Sequence, residues 1–157
     1  MAWIIFIMIA YLTAIISVPL KKWSRIWPAG ITALVLTFLI DSTLIGLGAF
    51  SYSTSISLPS GVPVFYWVSS FAGGIILAYF YPAKKQWQFP YVLFTSALFL
   101  AMELIMNRLG YIHYIKWNPI QSYFLDVIGF TTTLSMSLWF GAKGAKFQNE
   151  IFGRYIR

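Results

Sequence analysis

The sequence predicts an all-α, polytopic integral membrane protein, a bundle of five transmembrane helices. Two observations carry this expectation, and a third sets the orientation. The chain of 157 residues is only 10% charged, where a soluble domain carries about 25%. Five apolar runs of helical length follow one another, with basic and turn-forming residues between them. The basic residues gather in alternate connections. A mean hydropathy of +0.74 calls for a bilayer rather than water as solvent. The chain has no cysteine, which excludes disulfides, thiol catalysis and zinc–thiolate sites.

The first run gives a helix at about 3–20. No basic residue precedes it, while Lys21, Lys22 and Arg25 follow it, the reverse of a cleaved secretory signal. Trp27-Pro28 introduces the second helix, about 28–50. Proline suits the first turn, where its missing N–H has no intrahelical partner. The third helix, about 62–81, has Pro63 at its start and Pro82 just past its end. The fourth, about 89–109, begins near Pro90. The fifth, about 119–140, begins at Asn118-Pro119, an N-cap followed by a first-turn proline. Residues 1–141 form the membrane domain, and 142–157 a basic tail.

Orientation follows from the basic residues. Lys21, Lys22, Arg25, Lys84, Lys85, Lys143, Lys146, Arg154 and Arg157 fall on one side, and only Arg108 and Lys116 on the other. The richer side is cytoplasmic, so the expectation is a multi-pass cell-membrane protein, N-terminus outside and C-terminus inside. The net charge of +7 is then read as attraction to anionic lipid at the inner face, not to nucleic acid, for which no motif is present. In the tail, Phe147, Ile151 and Tyr155 repeat at helical spacing among Lys143, Lys146, Arg154 and Arg157, as in a helix lying on the inner leaflet.

Small residues at four-residue spacing mark faces for close helix packing in lipid. They are Ser42 and Gly46, Ser69 and Gly73, Ser70 with Gly74 and Ala78, and Gly129 with Thr133 and Ser137. Such faces serve the bundle itself, a homo-oligomer or another membrane partner. An internal echo also appears. Pro28 precedes Asp41 by thirteen residues, and Pro90 precedes Glu103 by the same thirteen. This predicts a degenerate parallel repeat of helices two–three and four–five.

Asp41, Glu103 and Asp126 lie inside predicted spans, where a charge costs about 3 kcal/mol on insertion scales. At a rise of ~1.5 Å per residue, Glu103 and Asp126 sit ~9 Å below the outer surface and Asp41 ~13 Å. Arg108, His113 and Lys116 occupy the connection above them. The candidate site is therefore an outward-facing polar pocket of Asp41, Glu103 and Asp126, with Arg108 and His113 as its cap. It would take a small polar or cationic ligand in transport, binding or sensing. Two alternatives stand beside it. In the first the acids serve packing alone, in a structural or interaction subunit; in the second they act as general acid and base in a lipid- or isoprenoid-modifying enzyme. No phosphate loop, dinucleotide-binding glycine pattern, nucleophile elbow or zinc motif is present. The expectation is no metal, no cofactor and no catalytic residue.

Trp27-Pro28, Glu103 with Gly110, Tyr114, Trp117-Asn118, Ser122 and Asp126 together resemble an uncharacterised family of small multi-pass membrane proteins of endospore-forming Firmicutes. The resemblance spans helix two to helix five. It implies five helices and a bacterial cell membrane, and it implies no catalytic residue.

Overall fold

The computed structural model describes residues 2–140. Among these the chain forms five helices and two short strands. They are α1 (Ala2–Ser17), α2 (Leu20–Gly46), β1 (Phe50–Tyr52), α3 (Val64–Tyr79), α4 (Lys85–Arg108), β2 (Ile112–Tyr114) and α5 (Pro119–Trp139). The predicted basic tail, with Lys143, Lys146, Arg154 and Arg157, lies outside the described residues.

The helix starts correct the sequence reading in two places. α2 begins after Pro19, and α4 after Lys84, so Pro28 and Pro90 lie inside their helices. An interior proline forfeits one ladder hydrogen bond, and an apolar span tolerates that loss when neighbours re-satisfy the freed groups. The acceptor that Pro28 leaves without its donor is the Ser24 carbonyl, while the Thr32 hydroxyl separately donates back to the Pro28 carbonyl at 2.7 Å. Lys21, Lys22 and Arg25 are consequently on the first turns of α2, and Lys85 on the first turn of α4.

α2 and α4 are long and apolar enough to cross a membrane, with 18-residue windows of mean hydropathy 1.8. Those windows are only 22% and 17% buried within the protein, so most of their apolar surface faces outward. α1 and α3 are apolar but shorter, at 16 residues each.

α2 packs on α3 and α5, α1 on α3, and α4 on α5. One end of the bundle has an aliphatic core, in which Val18, Ile26, Ala29, Ile75, Val92 and Leu134 meet. The other end is aromatic, with Trp3, Met106 and Ile112 packed among Tyr52, Tyr66, Tyr111 and Tyr114. Of the small-residue faces, the one carrying Gly74 and Ala78 is used against α2. A Cβ on Gly74 would fall on the Ala29 carbonyl oxygen and lie 2.8 Å from Ala33 Cβ. Gly46, Gly73 and Gly129 have open space where a Cβ would be.

α2 and α4 end alike. Leu47 and Leu109 cap them, followed by Gly48 at φ 70° and Gly110 at φ 78°. Gly48 N–H donates to Ile45 and Ala49 N–H to Leu44, while Gly110 N–H donates to Asn107 and Tyr111 N–H to Met106. Both are Schellman endings, in which glycine takes the left-handed turn that frees the chain to leave the helix. Each chain then enters a three-residue strand. β1 and β2 pair antiparallel as Phe50–Tyr114, Ser51–His113 and Tyr52–Ile112. The sequence predicts plain connections at 51–61 and 110–118 and puts Phe50 in the second helix; the structure instead has Phe50 opening β1.

Pro28, Asp41, Leu47, Gly48 and Tyr52 recur at a shift of 62 residues as Pro90, Glu103, Leu109, Gly110 and Tyr114, and β1 recurs as β2. The central strand pair, Ser51–His113, joins equivalent positions, so the ribbon has a local two-fold axis at its centre. The return paths differ, with 53–63 leading into α3 and 115–118 into α5.

Candidate functional site

The aromatic end holds a partly open cavity of about 50 Å³, lined by Asp41, Glu103 and Asp126 among aromatic and aliphatic side chains. Three helices supply the three acids. Asp41 is five residues before the end of α2, and Glu103 five before the end of α4. Asp41 is therefore not the deeper acid that the sequence implied. α2 stops at Gly46 instead of near Phe50, which brings Asp41 to the level of Glu103.

Each acid is held differently. The Tyr52 hydroxyl donates to Asp41 Oδ2 at 2.9 Å. Glu103 Oε1 accepts from the Tyr114 hydroxyl and the Ser122 hydroxyl, both at 2.9 Å. Ser122 in turn accepts from Trp117 Nε1 at 2.8 Å. Ser122 is placed by the start of α5, where Asn118 and Gln121 form a reciprocal capping box around Pro119. Asp126 Oδ2 is fully buried and has no hydrogen-bond partner. Such an atom carries its full desolvation cost until something donates to it. The three carboxyls lie close enough to repel one another when charged.

Strand alternation sets the lid of the cavity. Successive strand residues point to opposite faces, so Phe50, Tyr52 and Ile112 face the cavity while Ser51 and His113 face away. His113 is exposed and its Nε2 lies 2.8 Å from Ser53 Oγ. Arg108 is exposed at the last turn of α4, a favourable place for a cation at a helix C-terminus. Neither lines the cavity. The structure thus gathers Asp41, Glu103 and Asp126 and leaves Arg108 and His113 outside. The cap is a phenol- and aromatic-bearing ribbon instead of a basic one. Burial, with Asp41 beside it, holds the Tyr52 phenol well above the usual tyrosine range. Burial also raises the Tyr114 phenol. Both remain proton donors to their carboxyls at ordinary pH.

The residues missed by sequence reasoning are Trp3, Tyr52 and Tyr66. Trp3 Nε1 donates to the Ser53 carbonyl at 2.9 Å, tying α1 to the segment after β1. The Trp3 ring stands 5.5 Å from Tyr52 and 5.6 Å from Tyr66, and Tyr52 is 5.5 Å from Tyr66. A signal for Tyr52 was present, since Asp41–Tyr52 and Glu103–Tyr114 share an eleven-residue spacing.

Among the described residues no three His, Asp or Glu side chains are arranged to share a metal ion. The cavity's chemistry is that of acids and donors around a small space: it can hold a cation or pass protons. Comparison with protein-family models, curated proteins and solved structures finds no match to this chain.

Proposed function

We propose that this is a small integral membrane protein of five spans that binds a small cation or polar ligand in an outward-facing acidic cavity, as a step in transport or sensing. One observation carries the reading: three helices bring three carboxyls to one cavity whose lining residues include no basic side chain. Paired charges would make the cluster a packing device. Unpaired acids among aromatic walls call for a cationic partner.

The membrane setting is supported by the outward apolar surface. Ile5, Met8, Leu12 and Ile16 on α1, Val35 and Leu39 on α2, Phe94 and Leu98 on α4, and Ile120, Phe124 and Ile128 on α5 are all exposed. Bilayer is the solvent that accepts such a surface. Lys21, Lys22, Arg25, Lys84 and Lys85 all belong to the end opposite the cavity. The positive-inside rule then turns the cavity outward, with the N-terminus outside. The resemblance to small multi-pass proteins of endospore-forming Firmicutes belongs to the same proposal.

The test uses purified protein in detergent and in vesicles. Sodium, potassium, ammonium and methylammonium chlorides are titrated at constant ionic strength, and thermal unfolding is followed. Saturable stabilisation by at least one cation is expected, and its loss in Asp126→Asn. A native protein indifferent to every cation, with Asp126→Asn equally stable, would leave the acids as packing groups. For topology, Ser55→Cys should react with an impermeant thiol reagent from outside intact cells and Lys84→Cys only after permeabilisation. The opposite pattern overturns the orientation.

A further inference from the structure

We infer that the β1–β2 ribbon is the gate of the cavity: two phenol latches fasten it to the acids below, and it opens by local unfolding while the helices stay folded. A gate of this kind is independent of the cation reading above, because it concerns access to the cavity and not what enters it.

The ribbon covers the cavity without the means to hold itself together. Phe50, Tyr52 and Ile112 supply the cover. The two strands share only three facing pairs, Phe50–Tyr114, Ser51–His113 and Tyr52–Ile112, and a two-stranded ribbon is marginal on its own. Each strand is joined to its helix through a left-handed glycine, Gly48 at φ 70° and Gly110 at φ 78°. A Cβ at either position would meet nothing within 4 Å. Both pivots therefore stand in open space, where the backbone freedom of glycine is unhindered. Beyond β1 the long segment 53–63 leads to α3, which leaves slack for the strand to lift.

The fastening is polar and sits at the acids. The Tyr52 hydroxyl donates to Asp41 Oδ2 and the Tyr114 hydroxyl to Glu103 Oε1, each at 2.9 Å. The two tyrosines stand at opposite ends of the ribbon, since Tyr52 pairs with Ile112 and Tyr114 with Phe50. One latch thus secures each end. Tyr52 lines the cavity, while Tyr114 reaches Glu103 from outside it. Trp3 Nε1 and Asn107 Nδ2 add one bond each, to the backbone carbonyls of Ser53 and Ile112. Those bonds steady the closed form but reach no acid. Only the latches answer to events in the cavity, because whatever takes up the acceptor oxygens of Asp41 and Glu103 competes with the phenols for them. Once the latches open, three pairs are too few to keep the ribbon ordered, and the cover is lost as a unit.

The chain has no cysteine, so a single introduced thiol reports alone. Met102 on α4 and Leu125 on α5 line the cavity, and Ser55 is exposed. Met102→Cys, Leu125→Cys and Ser55→Cys are labelled in the whole protein in detergent with a sulfonate-bearing methanethiosulfonate. Both wall thiols should react at least about a hundredfold more slowly than the thiol at position 55. Tyr52→Phe and Tyr114→Phe keep the rings and lose the donors. Each should speed labelling of the wall about five- to tenfold, and the two factors should multiply in the double variant, with position 55 unchanged. Wall thiols that react as fast as position 55 overturn the cover. Unchanged wall labelling in the Phe variants overturns the latches, and a response to one tyrosine alone overturns fastening at both ends. Hydrogen exchange of the unsubstituted protein decides the gate even if a variant does not fold. The Ser53 and Ile115 amides bond across opposite ends of the ribbon, to the Tyr111 and Ala49 carbonyls. They should exchange together, at least about tenfold faster than the α2 and α4 amides beside the acids. Exchange as slow as in those helices, or two ribbon ends that exchange separately, overturns opening by local unfolding.

Discussion

Gly74→Ala is the sharpest test of how α2 and α3 are joined. The new methyl would lie on the Ala29 carbonyl oxygen, 2.8 Å from Ala33 Cβ and 2.9 Å from the Ala29 carbonyl carbon. Carbon atoms in contact prefer ~3.5–4.0 Å. The obstruction is backbone, so no side-chain rotation relieves it and α2 must move away from α3. Overpacking of a tight core costs about 1–3 kcal/mol, and backbone contact places this site at the upper end. The gain in helix propensity on replacing Gly by Ala, about 1 kcal/mol, offsets part of it. A net loss of about 2 kcal/mol is expected, roughly a thirtyfold shift in the folding equilibrium. Gly73→Ala is the control, because its Cβ meets nothing within 4 Å. It should gain stability by up to ~1 kcal/mol. Reversible unfolding in mixed detergent micelles, followed by helical circular dichroism, measures both. If the two variants unfold within ~0.5 kcal/mol of each other, the close contact of α2 and α3 at Gly74 is wrong.

Gly48→Ala and Gly110→Ala meet no neighbouring atoms, so each should cost the left-handed backbone penalty alone, about 1 kcal/mol. Unfolding measurements in which the two differ by more than ~1 kcal/mol would break the equivalence of the two helix endings. Asn118→Ala removes the side-chain acceptor of the Gln121 N–H, while the backbone N–H of residue 118 still donates to Gln121 Oε1, and should lower stability by about 1 kcal/mol; Asn118→Ser should recover most of it in the same assay. The buried phenols set a pH dependence. Tyr52 and Tyr114 are raised in the folded protein, so the unfolded chain loses these protons first, near pH ~10. Stability contributed by the two phenols is thus complete below that pH and falls as pH rises above it. Tyr52→Phe with Tyr114→Phe should make the alkaline arm of the unfolding-temperature profile shallower, and an unchanged slope would contradict their burial.

The helical class and the three acids were legible because both rest on local pattern. Apolar run length locates a helix, and an acid in such a run is conspicuous wherever it points. Proline misled the boundaries. The reading placed Pro28 and Pro90 in first turns, where proline is free of cost, but the helices continue upstream through Lys21, Lys22 and Arg25 and through Lys85. Basic residues mark where a helix leaves the apolar layer, not where it ends. The ribbon was illegible for a different reason. Strands of three residues have too little alternation to register, and their pairing depends on which helix ends lie side by side. His113 shows the cost. As a lone histidine near two acids it looked like part of the site, yet its strand position turns it outward while Tyr52 and Ile112 turn inward. Tyr52 was hidden by its ordinariness, since aromatic residues are frequent in this chain and only its spacing to Asp41, the same as that of Tyr114 to Glu103, separates it from the others.

What the two copies share and where they differ also bears on how the site holds together. The shared part is the run from helix interior through acid, cap and strand to tyrosine, of which Asp41, Glu103, Phe50, Tyr52 and Ile112 line the cavity. The differing part reaches the cavity as well: Trp3 and Phe6 of α1 and Tyr66 of α3 line it, as do Ser122 and Asp126 of α5, and the connection after β1 is much longer than the one after β2. Three-residue strands are too short to be stable as an isolated ribbon. Here the ribbon is anchored at both ends by Schellman turns and held to the helices by the phenol–carboxyl bonds. Those bonds place Tyr52 and Tyr114 by their acids as much as the acids by their tyrosines. The lid and the floor of the cavity are therefore one hydrogen-bonded unit, and whatever occupies the carboxyls acts directly on the ribbon that covers them.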